Sequence, residues 1–427
     1  MYVYHFFIHP IMSRSDIITG LDVGSNTIRL VVGQLADDEN GEGKKLHIIG
    51  VAETPSQGIS KGVVTSIEDA VTSLTSCIEK GERMAGVPLE RAYVSISGAH
   101  ILSQPSKGVI AVSKANGEIN EDDVERVIEA AQAVATPPNY EILHVIPRAY
   151  TVDNQSHIKD PIGMTGVRLE VDAQIIQGLS TQMKNLTKAI YRTGLDIEDL
   201  VFAGLAAAES VLDKQQKELG VALVNVGGAT TTLVVYEEGD VLHTAVLPVG
   251  AGHITADIAI GLRTSIEVAE QVKLQYGTSL PELVDKKEMI DLNEFQEGES
   301  HLVSRRQVAE IIEARIEEIF KLVNKELRKI NRSGLLPAGV VLTGGGARLH
   351  GVIEVAKREF RLPASIGAPR ELTTAIEKVN DPMYSVAVGL LLWGMHIHTG
   401  STTGFRGLSN LSAVTDKVKS WFKSIIP

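Results

Sequence analysis

The feature that most constrains this chain is a pattern that occurs twice. Residues 17–23, 27–34 and 46–53 are apolar, β-branched runs separated by Gly, Asp and Asn, which predicts three consecutive strands. A helical stretch follows, and then a strand over 92–96 that runs into Ser97-Gly98. The succession returns with strands over 221–226, 231–237 and 241–249, and Gly227-Gly228 stands at the first turn where Gly24 stands in the earlier copy. Helices and a strand over 339–342 leading into Gly344-Gly345-Gly346 complete the second copy. A repeated unit with helices between its strands predicts two α/β halves enclosing a cleft.

Length and charge agree with that architecture. A chain of 427 residues exceeds what one hydrophobic core serves, so two or more domains are expected. Lys plus Arg number 41 against 53 Asp plus Glu, a net charge of −12 that disfavours nucleic acid as a partner. The single cysteine, Cys77, can form neither an internal disulfide nor a zinc cage, which fits a cytosolic chain. No run reaches the ~18 apolar residues of a spanning helix. The aromatic, apolar stretch 1–12 is broken by His5, His9 and Pro10 and reads as an upstream extension, with initiation expected at Met12.

Helix signals fill in the rest. Ser66 with Asp69 forms a cap, and Ile67, Ala70, Val71, Leu74, Cys77 and Ile78 recur at helical spacing up to Gly86, so Cys77 reads as a core residue. Over 99–177 the texture changes to short strands (108–112, 142–149, 166–176) around a helix at 121–135 stopped by Pro137-Pro138, an inserted α+β subdomain. Helices are expected at 181–192, with Gly194 as C-cap, and without interruption over 203–219. Two more follow at 254–262 and 265–276. Ser304 with Gln307 caps a long helix whose stripe of Val308, Ile311, Ile312, Ile316, Ile319, Phe320, Val323, Leu327 and Ile330 runs toward Gly334.

Three glycine turns are the candidate site. After Asp22, the turn Gly24-Ser25-Asn26-Thr27 directs successive N–H groups at one point, a geometry that suits phosphate oxygens, and Asp22 could hold a Mg²⁺ shell through water. Asp-x-Gly turns are common in plain hairpins, so one copy says little. Its echo, Asn225 followed by Gly227, Gly228, Ala229 and Thr230, is more specific, because two such turns on duplicated halves would grip a polyphosphate from both sides. Gly344, Gly345, Gly346 and Arg348 open a third turn where a nucleoside could lie on bare backbone, although plain strand-to-helix turns look the same. Glu270 and Lys273, three apart on a helix, could bond a ribose or form only a surface ion pair.

The order of motifs, Gly-Leu-Asp-Val-Gly-Ser at 20–25, Val-Ser-Ile-Ser-Gly at 94–98, His-Val-Ile-Pro at 144–147, Val-Asn-Val-Gly-Gly-Ala-Thr-Thr-Thr at 224–232 and Val-Leu-Thr-Gly-Gly-Gly-Ala at 341–347, resembles the FtsA family of bacterial actin homologues. The resemblance spans residues 17–427. It implies an α/β actin-like fold, a duplicated ribonuclease H-like two-lobed ATPase, with an inserted SHS2-type α+β subdomain and a C-terminal amphipathic helix. Residues 1–16 would be an extension. Lobe 1 would comprise 17–98, 178–205 and 372–398, with the insert at 99–177. Lobe 2 would comprise 206–270 and 334–371, its outer subdomain 271–333. It also implies ATP and Mg²⁺ as ligands and polymerisation with other copies. Further implied are attachment to the cytoplasmic side of the cell inner membrane at the division site, an FtsZ C-terminal peptide as partner, docked near Arg306 and Arg315, and other division proteins. The second turn begins with Asn225 where the family usually has Asp, and Arg148-Ala149 stand where actin-like ATPases often carry a catalytic Gln, so slow or absent hydrolysis is expected. Rivals are a PilM-like pilus-assembly adaptor of the same fold and an exopolyphosphatase-like hydrolase.

The chain's last segment has its own logic. Residues 399–411 read as a flexible tether. In 412–427, Val414, Val418, Trp421, Phe422, Ile425 and Ile426 share one helical face, with Lys417, Lys419 and Lys423 on the others, the composition of a helix lying on an anionic lipid surface. Six apolar side chains at ~1.5–3 kcal/mol each, before ordering costs, give reversible attachment that polymerisation would strengthen by avidity.

Overall fold

The structure is a computed structural model that describes residues 17–37, 44–114, 116–133, 136–295, 302–370 and 374–399. The first lobe begins with β1 (Ile17–Val23), β2 (Thr27–Asp37) and β3 (Lys44–Pro55), an antiparallel meander. A small hairpin, β4 (Ile59–Ser60) with β5 (Val63–Val64), precedes α1 (Ile67–Ala85), whose Ser66 cap and left-handed Gly86 end are as the sequence predicts. Cys77 is buried in the core beneath, donating to the Ile28 carbonyl at 3.6 Å, and burial pushes its thiol up to about 11. β6 (Arg91–Ile96) then lies parallel to β1.

The inserted subdomain comprises β7 (Ile101–Ala111), α2 (Glu121–Ala133), β8 (Tyr140–Val152), β9 (Gln155–Ile158) and β10 (Arg168–Leu179), in the sheet order β7-β10-β8-β9. α2 packs on that sheet around its own small core of Val124, Val127, Leu169 and Val171. The chain re-enters lobe 1 through α3 (Ser180–Tyr191), β11 (Asp196–Phe202) and α4 (Ala203–Val211).

Lobe 2 starts with α5 (Lys214–Leu219) and repeats the meander as β12 (Val221–Val226), β13 (Thr231–Glu237) and β14 (Asp240–Leu247). After α6 (Ala251–Leu262), α7 (Ile266–Tyr276), the short pair β15 (Met289–Asp291) and β16 (Leu302–Ser304), and α8 (Arg305–Lys329), the sheet is completed by β17 (Val340–Thr343) and β18 (Ala364–Ile366), with α9 (Val352–Phe360) between them. The final described helix is α10 (Ser385–Thr399).

The two five-stranded sheets correspond strand for strand. One runs β11-β6-β1-β2-β3 and the other β18-β17-β12-β13-β14, with the same parallel and antiparallel pairings, so the duplication read from the sequence is a duplication of topology. Between the sheets α4 and α10 cross at their small residues: a Cβ on Gly389 would lie 1.7 Å from the Ala206 carbonyl oxygen, and one on Gly204 would lie 2.6 Å from Val234. This crossing fuses the back of lobe 2 to the core of lobe 1.

Several expectations need correction. The helix expected over 203–219 is two, because Asp213 accepts from the Gln216 N–H at 2.7 Å and starts α5 with a complete capping box. Gly194 does not cap α3, which ends at Arg192 in a right-handed turn; Gly194, at φ +87°, serves the turn beyond. β9, β11 and β18 carry no strand expectation from the sequence. The third glycine run opens a single 3-10 turn, Gly345–Arg348, and not an α-helix. The C-terminal segment with Val414, Lys417, Val418, Trp421, Phe422, Lys423, Ile425 and Ile426 lies outside the described residues, as does 1–16. Among the described residues no helix is long and apolar enough to cross a membrane.

Candidate functional site

β1 delivers Asp22 and Gly24 to the end of the first sheet, and its parallel neighbour β6 supplies Ser95 beside them. The Ser95 hydroxyl donates to Asp22 Oδ1 at 2.8 Å and accepts from the Val23 N–H at 2.9 Å. Burial raises the Asp22 carboxyl above its ordinary pKa, against the pull of the Ser95 hydroxyl and the Arg29 charge. In the turn itself, Ser25 Oγ accepts from the Gly62 N–H of the β4–β5 hairpin at 2.9 Å, and the Asn26 carbonyl accepts from Ser56 at 3.0 Å. The N–H groups of Ser25 and Asn26 have no acceptor among the described residues.

The second turn is held from behind by α6. Ala251 and Gly252, at the helix start, donate to the carbonyls of Gly227 and Gly228 at 2.8 and 2.7 Å, while the Gly227 N–H closes the turn on Thr230 at 2.9 Å. Carbonyl oxygens are thereby drawn to the rear. The N–H groups of Gly228 and Ala229 have no acceptor among the described residues, which is the arrangement that receives an anion.

The two turns meet. A Cβ on Gly228 would stand 2.5 Å from Cγ and Oδ1 of Asn26, so the Asn26 amide lies flat on the bare backbone of the other lobe. A second cross-lobe contact joins Ser97 Oγ and Thr232 Oγ1 at 3.4 Å. The two glycine bends singled out in the sequence are therefore in contact with each other.

The third turn closes the lobe 2 side. Asn225, next to last in β12, lies opposite Thr343, and its Oδ1 would be 2.2 Å from a Cβ on Gly344, whose φ of +82° also favours glycine. The Gly344 N–H and the Thr343 hydroxyl both donate to the Pro382 carbonyl at 3.2 Å, and Arg348 pairs with Asp381 at 3.4 Å. The 381–383 segment before α10 thus belongs to the site, although nothing in its sequence marks it. Met383 Sδ lies between Arg29 and Arg348, at 3.5 and 3.6 Å from their nitrogens.

Glu270 and Lys273 pair at 2.6 Å, and Lys273 also donates to Thr255 of α6 at 2.8 Å. Further on, Thr278 Oγ1 after α7 meets His350 Nδ1, two residues beyond Arg348, at 2.9 Å. Arg306 and Arg315 stand elsewhere, on α8. Arg306 makes an exposed pair with Glu310 at 3.3 Å, whereas Arg315 clamps Asp257 of α6 through Nε at 2.5 Å and Nη2 at 2.8 Å, with Glu318 on Nη1. Arg315 is thus not the exposed cation that the sequence suggests.

For a magnesium ion the donor set is sparse. Among the described residues no three His, Cys, Asp or Glu side chains converge on a metal position. Asp22 fits an ion held mainly by phosphate and water, since a buried carboxyl with a raised pKa gains from a cation, and such ions need only one or two carboxylates. Asn225 can offer Oδ1 but no charge. Asp22 and Asn225 are the residues that would hold the ion's water shell.

Comparison with known proteins agrees with this geometry. Residues 222–389 match the family model described as cell division protein FtsA, and residues 98–177 match the one described as an SHS2 domain inserted in FtsA. The chain is 37% identical to cell division protein FtsA of Pseudomonas aeruginosa over 96% of its length and 98% of that protein. It is 39% identical to the Bacillus subtilis FtsA over 89% of its length and 84% of that protein, and 35% to the Escherichia coli FtsA over 96% of both. In solved structures the fold resembles the PilM–PilN type IV pilus biogenesis complex (TM-score 0.64, 17% identity, 88% of this chain and 98% of that chain). It also resembles MreB5 of Spiroplasma citri bound to ADP (TM-score 0.53, 14% identity, 90% and 98%). With identities of 35–39% over most of its length to curated relatives, and two duplicated sheets whose glycine turns face each other, the chain belongs to the FtsA family of actin-like cell division proteins.

Proposed function

We propose that this chain is a nucleotide-binding, membrane-associated, polymerising adaptor that tethers FtsZ filaments to the inner face of the cytoplasmic membrane at the division site. The observation that supports the nucleotide part is the contact of Asn26 with Gly228, which brings together two turns that each carry unpaired N–H groups. ATP, with Mg²⁺ on the Asp22 side, is the ligand of the right charge and length. The third turn and the Glu270–Lys273 pair form the wall for its adenosine. Solved MreB5 bound to ADP supports the assignment by fold. Hydrolysis is slow in this reading, because Asp22 is the one carboxylate at the paired strand ends and Asn225 adds none.

Nucleotide then acts as a structural ligand that favours the closed form. The apolar stripe of Val414, Val418, Trp421, Phe422, Ile425 and Ile426, with its lysines, supplies the lipid contact. On α8, Arg306 is the cation open to an acidic FtsZ peptide, since its exposed pair with Glu310 is worth little. The pilus reading rests on fold alone, whereas the division reading rests on sequence over most of the chain.

Reconstitution tests the whole reading. With Mg-ATP and vesicles containing anionic lipid, the full chain is expected to float FtsZ with the membrane, and a chain ending at residue 411 to leave it in solution. FtsZ that stays in solution with the full chain overturns the assignment.

A further inference from the structure

The insert meets both lobes. α2 covers one face of its sheet, and from the other face Ile146 and Ile176 enter the core that lobe 1 shares with α4 and the back of the second sheet. There β7, β8 and β10 lie against β14, the edge strand of lobe 2, and the rim of this seam is charged. Lys159, just after β9, donates to the Glu238 carbonyl at 2.9 Å and pairs with Asp240 at the start of β14. The hairpin that carries both acceptors is fixed to lobe 2, since the N–H groups of Glu238 and Gly239 donate to the carbonyls of Glu218 and Lys217 in α5, each at 3.1 Å.

A second cation stands beside the same carboxylate without holding it. Arg148 of β8 is close enough to act on the Asp240 charge, yet it forms no ion pair among the described residues, and its Nε is buried with no hydrogen-bond partner. A buried guanidinium nitrogen without an acceptor is a cost that any rearrangement supplying one would remove. β8 and β9 run antiparallel with Tyr150 opposite Ile158, so Arg148 and Lys159 come to the same end of that strand pair, about 5 Å apart by the spacing of neighbouring strands. Asp240 is half-buried. Burial raises its carboxyl above the ordinary pKa, against the pull of Lys159 and Arg148, so the carboxylate gains from whichever cation it holds.

One acid on lobe 2 with two cations of the insert in reach gives the seam two discrete arrangements, each with the acid paired. We propose that Asp240 is a two-position latch: on Lys159 it holds the insert in its present seat against lobe 2, and on Arg148 it holds the insert turned by about one strand spacing. A partner on the insert, or a change in the angle between the lobes, then selects a seat by selecting the cation that Asp240 holds. The latch does not depend on the nucleotide reading above.

The distance between two spin labels on the full chain tests it, one at Glu125→Cys on α2 and one at Lys357→Cys on α9, both exposed; Cys77 is buried and takes no label. Two distances are expected. Lys159→Met should move their weights toward the turned seat by about two- to fivefold, the worth of one partly exposed ion pair, and Arg148→Met should move them as far toward the present seat. Two substitutions that each delete one cation then act with opposite sign, which a loss of packing or of net charge does not produce. Lys159→Asp combined with Asp240→Lys rebuilds the pair with exchanged charges and sets like charges at Arg148, so it should hold the present seat alone. A single distance that no substitution changes, or shifts of the same sign from Lys159→Met and Arg148→Met, overturns the latch. Should Arg148→Met fail to fold, the exposed Lys159 carries the test, and an exchanged pair that does not reverse the shift of Lys159→Met overturns it equally.

Discussion

At Asp22 burial and the proposed magnesium-holding role pull in opposite directions. The folded carboxyl has a raised pKa, so as pH rises the unfolded chain gives up its proton first, and the free protein loses stability between the ordinary carboxylate pKa and the raised value. A magnesium-phosphate ligand reverses that preference by favouring the carboxylate. Asp22→Asn retains an acceptor for the Ser95 hydroxyl and removes the charge. The free variant should be at least as stable as the parent at pH 7 in urea titration, yet bind Mg-ATP about tenfold or more weakly, a loss of ~1.4 kcal/mol. A variant that lost stability and kept its affinity would contradict this account. Gly228 makes a complementary case. Gly228→Ala drives a methyl into the Asn26 amide at 2.5 Å, which should cost about 1–3 kcal/mol as overpacking, and Asn26→Ala in the same chain should restore most of it. The double-mutant cycle measures whether the two lobes touch in solution.

Among the elements, α8 separates what an arginine does for the fold from what it could do for a partner. Its stripe of Val308, Ile312, Ile316, Ile319, Phe320, Val323 and Leu327 is fully buried, so the helix cannot move without opening the lobe 2 core. Arg315 continues that role with its two-pronged hold on Asp257, whereas Arg306 holds only Glu310 four residues on. Arg306→Glu should leave the unfolding midpoint unchanged and reduce co-sedimentation with FtsZ. Arg315→Glu should lower the midpoint by setting a third acid beside Asp257 and Glu318, whatever it does to the partner. Equal stability of both variants would mean that the Asp257 clamp is not formed. These elements also show what the sequence could carry. α1 and α8 announce themselves through Ser66, Ser304 and a 3.6-residue stripe. The meanders do so through β-branched runs around glycine. β11 does not, because Asp196, Glu198 and Asp199 are poor strand formers, and parallel pairing with β6 decides its state. β18 is too short, and the break at Asp213 hides in a sequence that is helical on both sides. The three glycine turns were legible for the same local reason. The share of 381–383 in the site arises from tertiary packing, which leaves no mark on neighbouring residues.

For the whole molecule, the question is how far a ligand at the two turns is felt. The cores give the answer its shape. Lobe 1, α4, α10 and the back of the second sheet share one continuous core, whereas the insert keeps a separate one around α2. The lobes are joined at the crossing of α4 and α10, where Gly389 lies against the Ala206 backbone and admits no side chain. A ligand that bridges Gly24–Thr27 and Gly227–Thr230 must therefore restrain that crossing, and at one hundred times its dissociation constant it adds ~2.7 kcal/mol to the stability of whatever unfolds with the cleft. Hydrogen exchange should then slow with Mg-ATP at both turns and along α4 and α10. At α2 and β9, whose contacts lie within the insert, it should not change. Protection confined to the turns would mean that the lobes move independently of their shared helices. Protection that extended evenly through α2 would mean that the insert is part of the same cooperative unit, and that its separate core does not define a separate body.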